Sequence, residues 1–203
     1  MYGILIILLS LISSEECTET VIITDGTTEI VESAYENCKT LINLQLPDSL
    51  IKISDKAFSG CSNLIGTLKI PNSVKTIGNY AFNGCSKITE LIIGNGVETI
   101  GNNSFSRCSK INGHLKIPDS VKSIGQHSFS YCTSLTELTL SNSLETINPY
   151  SFYHLENILH LTIPNSVKKI ESNAFSNCRK IEDISLNNKL EIIGQHSFSF
   201  NFQ

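Results

Sequence analysis

The sequence predicts a repeat solenoid, with short parallel strands on one face and turns with short helical or 3₁₀ segments on the other. Three observations predict it. A unit of 23 or 24 residues recurs in one phase from Val21 to Gln203, and periods of this size mark stacked repeats. The apolar positions inside the unit are constant. One unit of that size cannot bury its own apolar face, whereas stacked units bury it continuously. The chain therefore divides into a signal peptide (1–14), a lead-in (15–20) and eight units (21–203), the last incomplete.

In chain order, Met1–Ser14 comes first, and its core Ile4–Ile12 is apolar except for Ser10. A membrane span needs about 20 apolar residues, so this run fits the shorter core of a secretory signal peptide. No positive charge precedes it, and no second apolar run of spanning length follows. The expected location is secreted or cell surface.

The repeat is clearest from Leu68 (LKIPNSVKTIGNYAFNGCSKITE), Leu115 (LKIPDSVKSIGQHSFSYCTSLTE) and Leu161 (LTIPNSVKKIESNAFSNCRKIED). Leu68 and Ile70 flank Lys69, the period of a strand with one buried face. Pro71 lacks an N–H and should end that strand. Val74 and Ile77 line a second extended or turning segment. Gly78 follows, where a free φ is useful. Phe82, Cys85 and Ile88 are three apart, which predicts a helical or 3₁₀ turn.

A longer period overlies the unit. Lys75, Glu98, Lys122, Glu145, Lys168 and Glu191 alternate in sign at one position, while Pro71, Gly94, Pro118, Ser141, Pro164 and Asn187 alternate at another. Units thus come in pairs. Stacked strands lie about 4.8 Å apart, so opposite charges become neighbours, each pair contributing about 0.2–1 kcal/mol.

The pattern LxIPxSVxxIGxxAFxxCxxL resembles the BspA-like leucine-rich repeat of bacterial and protist surface proteins, over about nine-tenths of the chain. The resemblance implies a leucine-rich repeat type of solenoid. It also implies an adhesin-like or surface-antigen-like module that recognises proteins, host or matrix proteins among them. A structural surface or matrix segment, or an incomplete fragment of a larger repeat protein, with no ligand of its own, is the alternative.

Six of the seven cysteines (Cys38, Cys61, Cys85, Cys108, Cys132 and Cys178) share one unit position and should point inward as small apolar groups. Leu155 fills the same slot. Cys17 is out of phase, and a Cys17–Cys38 disulfide would cap the N-terminal end.

Outward strand positions give a candidate protein-binding face: Lys69, Glu90, Ile92, His114, Lys116, Glu137, Thr139, His160, Thr162 and Asp183. Within it, Glu90, His114, Glu137, His160 and Asp183 alternate acid and imidazole. Carboxylates on both adjacent rungs should raise the histidine pKa values and make binding pH-dependent. A zinc site from His114, Glu137 and His160 is a further arrangement this column would allow.

No G-x-S-x-G, Walker A, H-E-x-x-H or G-x-G-x-x-G motif occurs. Catalysis needs a unique constellation, so no enzyme and no cofactor are expected. A net charge of −4 with scattered lysines argues against a nucleic-acid partner. Asn102-Asn103-Ser104 is a glycosylation sequon. The chain ends inside a repeat, which implies that it tolerates an open edge, self-associates end to end through the uncapped last unit, or is incomplete.

Overall fold

The computed structural model describes residues 17–199. The signal-peptide assignment, lead-in residues 15–16 and the last four residues of the final unit lie outside them. The described chain winds into a parallel solenoid of about eight turns. It carries sixteen strands, numbered in chain order and alternating between two series. The longer series is β1 (Thr20–Ile22), β3 (Asn43–Gln45), β5 (Gly66–Lys69), β7 (Ile88–Ile92), β9 (Gly113–Lys116), β11 (Leu135–Thr139), β13 (His160–Thr162) and β15 (Asp183–Ser185). The shorter series is β2 (Glu29–Ile30), β4 (Lys52–Ile53), β6 (Thr76–Ile77), β8 (Thr99–Ile100), β10 (Ser123–Ile124), β12 (Thr146–Ile147), β14 (Lys169–Ile170) and β16 (Ile192–Ile193).

The core is a set of columns, one residue per turn. Tyr35, Phe58, Phe82, Phe105, Phe129, Phe152, Phe175 and Phe198 stack with centroids 5.1–5.6 Å apart. The cysteine column runs beside it. The thiols of Cys61, Cys85, Cys108, Cys132 and Cys178 donate to the main-chain oxygens of Tyr35, Phe58, Phe82, Phe105 and Phe152 at 3.1–3.3 Å. Each thiol therefore reaches back one turn. Burial pushes Cys61, Cys132 and Cys178 up to about 12, which leaves them inert at neutral pH. At the start of the stack, Cys17 is disulfide-bonded to Cys38 with Cα atoms 5.7 Å apart.

Two expectations are corrected. The described residues contain no helical or 3₁₀ segment at the aromatic corner. Phe82 N–H donates to Ser104 in the next turn and Cys85 N–H to Phe82 within its own turn, while Tyr80 and Gly84 adopt φ of 57° and 72°. The same alternation recurs at other corners, so every second N–H serves the neighbouring turn and a helix cannot propagate. Gly78, Gly101 and Gly125 are also not there for φ. A Cβ on Gly101 would sit 2.7 Å from Asn79 N and Gly78 C, so at this turn a side chain would force the preceding backbone to shift, although Asn148 and Glu171 fill the equivalent slot of later turns.

The two-turn period has a structural counterpart. The longer strands form sheets as couples, β1–β3, β5–β7, β9–β11 and β13–β15, with single main-chain bonds such as Asn112 N–H to Thr89 O at 3.0 Å between couples. The shorter ones form a five-stranded sheet from β2 to β10 and a three-stranded sheet of β12, β14 and β16. Between β10 and β12 the Asn148 side chain donates to Ile124 O at 2.7 Å. That replaces the bond that Gly125 N–H makes to Ile100 O at 2.8 Å one turn earlier. Two of the three residues that replace proline in alternate units also reach back. Ser141 Oγ donates to Val121 O at 2.6 Å, and Asn187 Nδ2 to Pro164 O at 2.6 Å. In the charge column, Glu98 sits 2.9 Å from Lys122 and 3.8 Å from Lys75, and Glu145 sits 3.2 Å from Lys168. These pairs are exposed, so each contributes little to stability.

Two predictions follow from the columns. Phe129→Ala should cost about 3–5 kcal/mol in chemical denaturation, and a negligible loss would mean that the ring column is not structural. Cys85, Cys108 and Cys132 should resist alkylation in the folded chain and react on unfolding, as followed by mass spectrometry.

Candidate functional site

Strand alternation turns the leucine and isoleucine side chains inward and their polar neighbours outward. In β5 to β15 this places Lys69, Glu90, Ile92, His114, Lys116, Glu137, Thr139, His160, Thr162 and Asp183 on one exposed face. Ile92 is 42% exposed, and Leu159, missed in the sequence, adds a second apolar point at 40%. Leu159 precedes the outward position it joins, so the strand period did not single it out.

The acid–imidazole column is not continuous. Register puts Thr67 opposite Glu90, His114 opposite Glu137 and His160 opposite Asp183. Thr67 Oγ1 donates to Glu90 Oε2 at 2.6 Å. His114 Nδ1 lies 3.5 Å from Glu137 Oε2, and its Nε2 lies 2.8 Å from Thr139 Oγ1. His160 Nδ1 bonds Asp183 Oδ1. Each contact therefore crosses one hydrogen-bonded strand couple. That hydrogen bond, then the charge of Asp183, holds His160 above the ordinary imidazole value, and Glu182 and Glu137 add to it.

Where couples meet, the sheet is interrupted and the face opens. Between β11 and β13 a groove of about 540 Å³ is lined by Glu137, Thr139, Asn142, Leu159, His160 and Thr162 among others. A second, of about 340 Å³, opens between β3 and β5 beside Ile65. No group of three His, Cys, Asp or Glu is placed to hold a metal ion among the described residues, so the zinc arrangement is not formed. No helix among them is long and apolar enough to cross a membrane.

Other features lie off this face. Ser104 of the sequon is buried, its Oγ donating to Gly78 O at 2.8 Å and Gly101 O at 2.7 Å. The sequence reading also missed a side-chain ladder at the aromatic corner: Asp55, Asn79 and Asn102 each accept the backbone N–H of the residue one turn on, at 2.8 Å. Conspicuous Asn and Gln at one unit position were its only signal.

The BspA-type leucine-rich repeat region matches in six copies over residues 13–114 and 112–202. The chain belongs to the BspA-type leucine-rich repeat family. Among solved structures, this BspA-type chain is similar to a leucine-rich repeat protein from Bacteroides ovatus (27% identity, TM-score 0.79, covering 86% of this chain and 47% of that one). It is also similar to the Treponema pallidum leucine-rich repeat protein (26% identity, TM-score 0.75, 82% and 79% covered). A leucine-rich cell surface protein from Faecalibacterium prausnitzii shares the fold at 24% identity and TM-score 0.57, with 90% and 57% covered. The chain thus spans about half the length of the Bacteroides and Faecalibacterium proteins. No match is found among curated proteins.

The His160 geometry predicts a titration by NMR above the ordinary imidazole value of about 6.5. Asp183→Asn should bring it back. Because the folded value is raised, the associated stability is fully present below the unfolded value and is lost as pH rises through the folded one. An unshifted His160 would dismiss the pairing.

Proposed function

We propose that this BspA-type chain is a secreted or cell-surface module that recognises a protein partner through the strand face and performs no catalysis. The observation that carries the reading is the row of outward side chains on β5 to β15, opened by the groove between β11 and β13. Such a face offers an extended, repeated set of contacts, as solenoids use for binding. Ile92 and Leu159 supply apolar anchors among polar groups that fix orientation. The cell-surface description of the Faecalibacterium neighbour is consistent with the location.

The test is a binding screen of the purified full chain against extracellular-matrix and cell-surface proteins. A saturable partner is expected, with affinity lowered about tenfold or more by Leu159→Ala combined with His160→Ala. Retention of the tagged chain in the cytosol would refute the location. Binding indifferent to the double substitution would refute the face.

A further inference from the structure

A second surface shares no residue with the strand face. It is a groove of about 440 Å³ that follows successive turns at the aromatic corner. Its floor is the ladder of Asp55, Asn79, Asn102 and Gln126. The Asp55 carboxylate is already engaged, accepting Asn79 N–H at 2.8 Å and Asn79 Nδ2 at 2.9 Å. The N–H groups of Asn79, Asn102 and Gln126 are taken by the ladder itself. The floor therefore has no free backbone donors for an added peptide strand. Its charged lining residues, Glu32, Asp55 and Lys56, stand at one end, and from Asn79 to His127 the lining is uncharged, with one floor amide per turn.

Two rings rise from this floor. Tyr80 and His127 occupy the same unit position two turns apart, with φ of 57° and 55°. Both line the groove. Tyr80 is 42% exposed. His127 is braced by Tyr150, its ring stacked at 4.6 Å. Asn103 holds the intervening turn, also at positive φ (55°). The stacked core rings give the height of one turn as 5.1–5.5 Å between Phe58 and Phe129.

One sugar of an extended, equatorially linked glycan has about that length. Its two-fold screw presents the same sugar face at every second residue. Within the groove the rings of Tyr80 and His127 stand two turns apart with Asn103 on the turn between, which is the same repeat; Tyr150 follows on the turn after His127. Sugar faces carry C–H groups that pack on aromatic rings, and their hydroxyls both donate and accept, as amides do. We propose that this groove binds a neutral, linear, equatorially linked polysaccharide laid along the solenoid axis. Tyr80 and His127 pack on alternate sugars, while Asn79, Asn102 and Gln126 hydrogen-bond the hydroxyls between them.

The experiment is calorimetric titration of the folded full chain with cellohexaose and with hexa-N-acetylchitohexaose, with circular dichroism to verify folding of each variant. Saturable binding is expected for at least one of them. Tyr80→Ala and His127→Ala should each weaken it about tenfold or more, Tyr80→Phe should retain it, and His160→Ala should leave it unchanged. No saturable binding to either oligosaccharide would overturn the proposal. So would binding that Tyr80→Ala and His127→Ala leave intact, or a groove that takes only a protein partner.

Discussion

Each turn is too short to bury its own apolar side chains, so the fold depends on the main-chain hydrogen bond from one turn to the next. That bond sets the vertical spacing, and the spacing lets identical side chains stack in columns. At the aromatic corner the link is explicit: Phe82 N–H donates to Ser104 and Gly84 N–H to Ser106, while the rings of Phe82 and Phe105 stack at 5.5 Å. Buried donors and acceptors are costly to leave unpaired. The cysteine thiols and the Ser104 and Ser128 hydroxyls are drawn into the same system, each bonded to a carbonyl of the preceding turn. These buried polar groups are therefore tolerated in the column because each has a partner a turn away.

The coil and its inward face were legible because both rest on spacing: a strand alternates with period two, and Leu68, Ile70, Val74, Ile77, Phe82, Cys85 and Ile88 are all buried. The corner conformation was not legible. A spacing of three is common to a 3₁₀ turn and to a chain that alternates right- and left-handed residues. Only the destination of each N–H separates the two, and that destination lies in another turn. Residues such as Tyr80, His127 and Tyr150 gave no warning, since β-rich sequence rules assign positive φ to glycine and asparagine. The role of Gly101 was obscured for a related reason: it answers to the backbone of the turn below, and not to its own dihedral.

The paired units show how a second period becomes structure. On the strand face, hydrogen bonds join turns in couples and the side-chain contacts Thr67–Glu90, His114–Glu137 and His160–Asp183 fall inside those couples. A column that reads in sequence as one alternating row is thus a set of separate contacts. The break on the shorter strands obeys different logic. It falls between β10 and β12, where Asn148 and Pro149 replace the Gly-Gln of the preceding unit, and a side-chain amide substitutes for the missing main-chain donor. Lys122 and Glu145 stand on either side of that interruption and do not pair with each other, whereas Lys122 pairs with Glu98 and Glu145 with Lys168.

This arrangement separates stability from recognition. Inward positions are fixed by stacking, so a substitution there is felt by two neighbouring turns at once. Outward positions on the strand face and at the aromatic corner touch few core atoms, and their identity is free to vary from turn to turn. That freedom is visible in the corner column itself, which runs Lys56, Tyr80, Asn103, His127, Tyr150 and Asn173 over unchanged backbone geometry, with φ between 55° and 58° throughout. Constant backbone under variable side chains is the condition under which a repeat scaffold acquires binding surfaces, and both surfaces described above satisfy it. They differ in what the backbone offers. The strand face is interrupted between couples, which suits an irregular protein surface with pockets to fill. The corner ladder is unbroken from Asp55 to Gln126, with its main-chain donors already occupied, which suits a ligand as periodic as the solenoid.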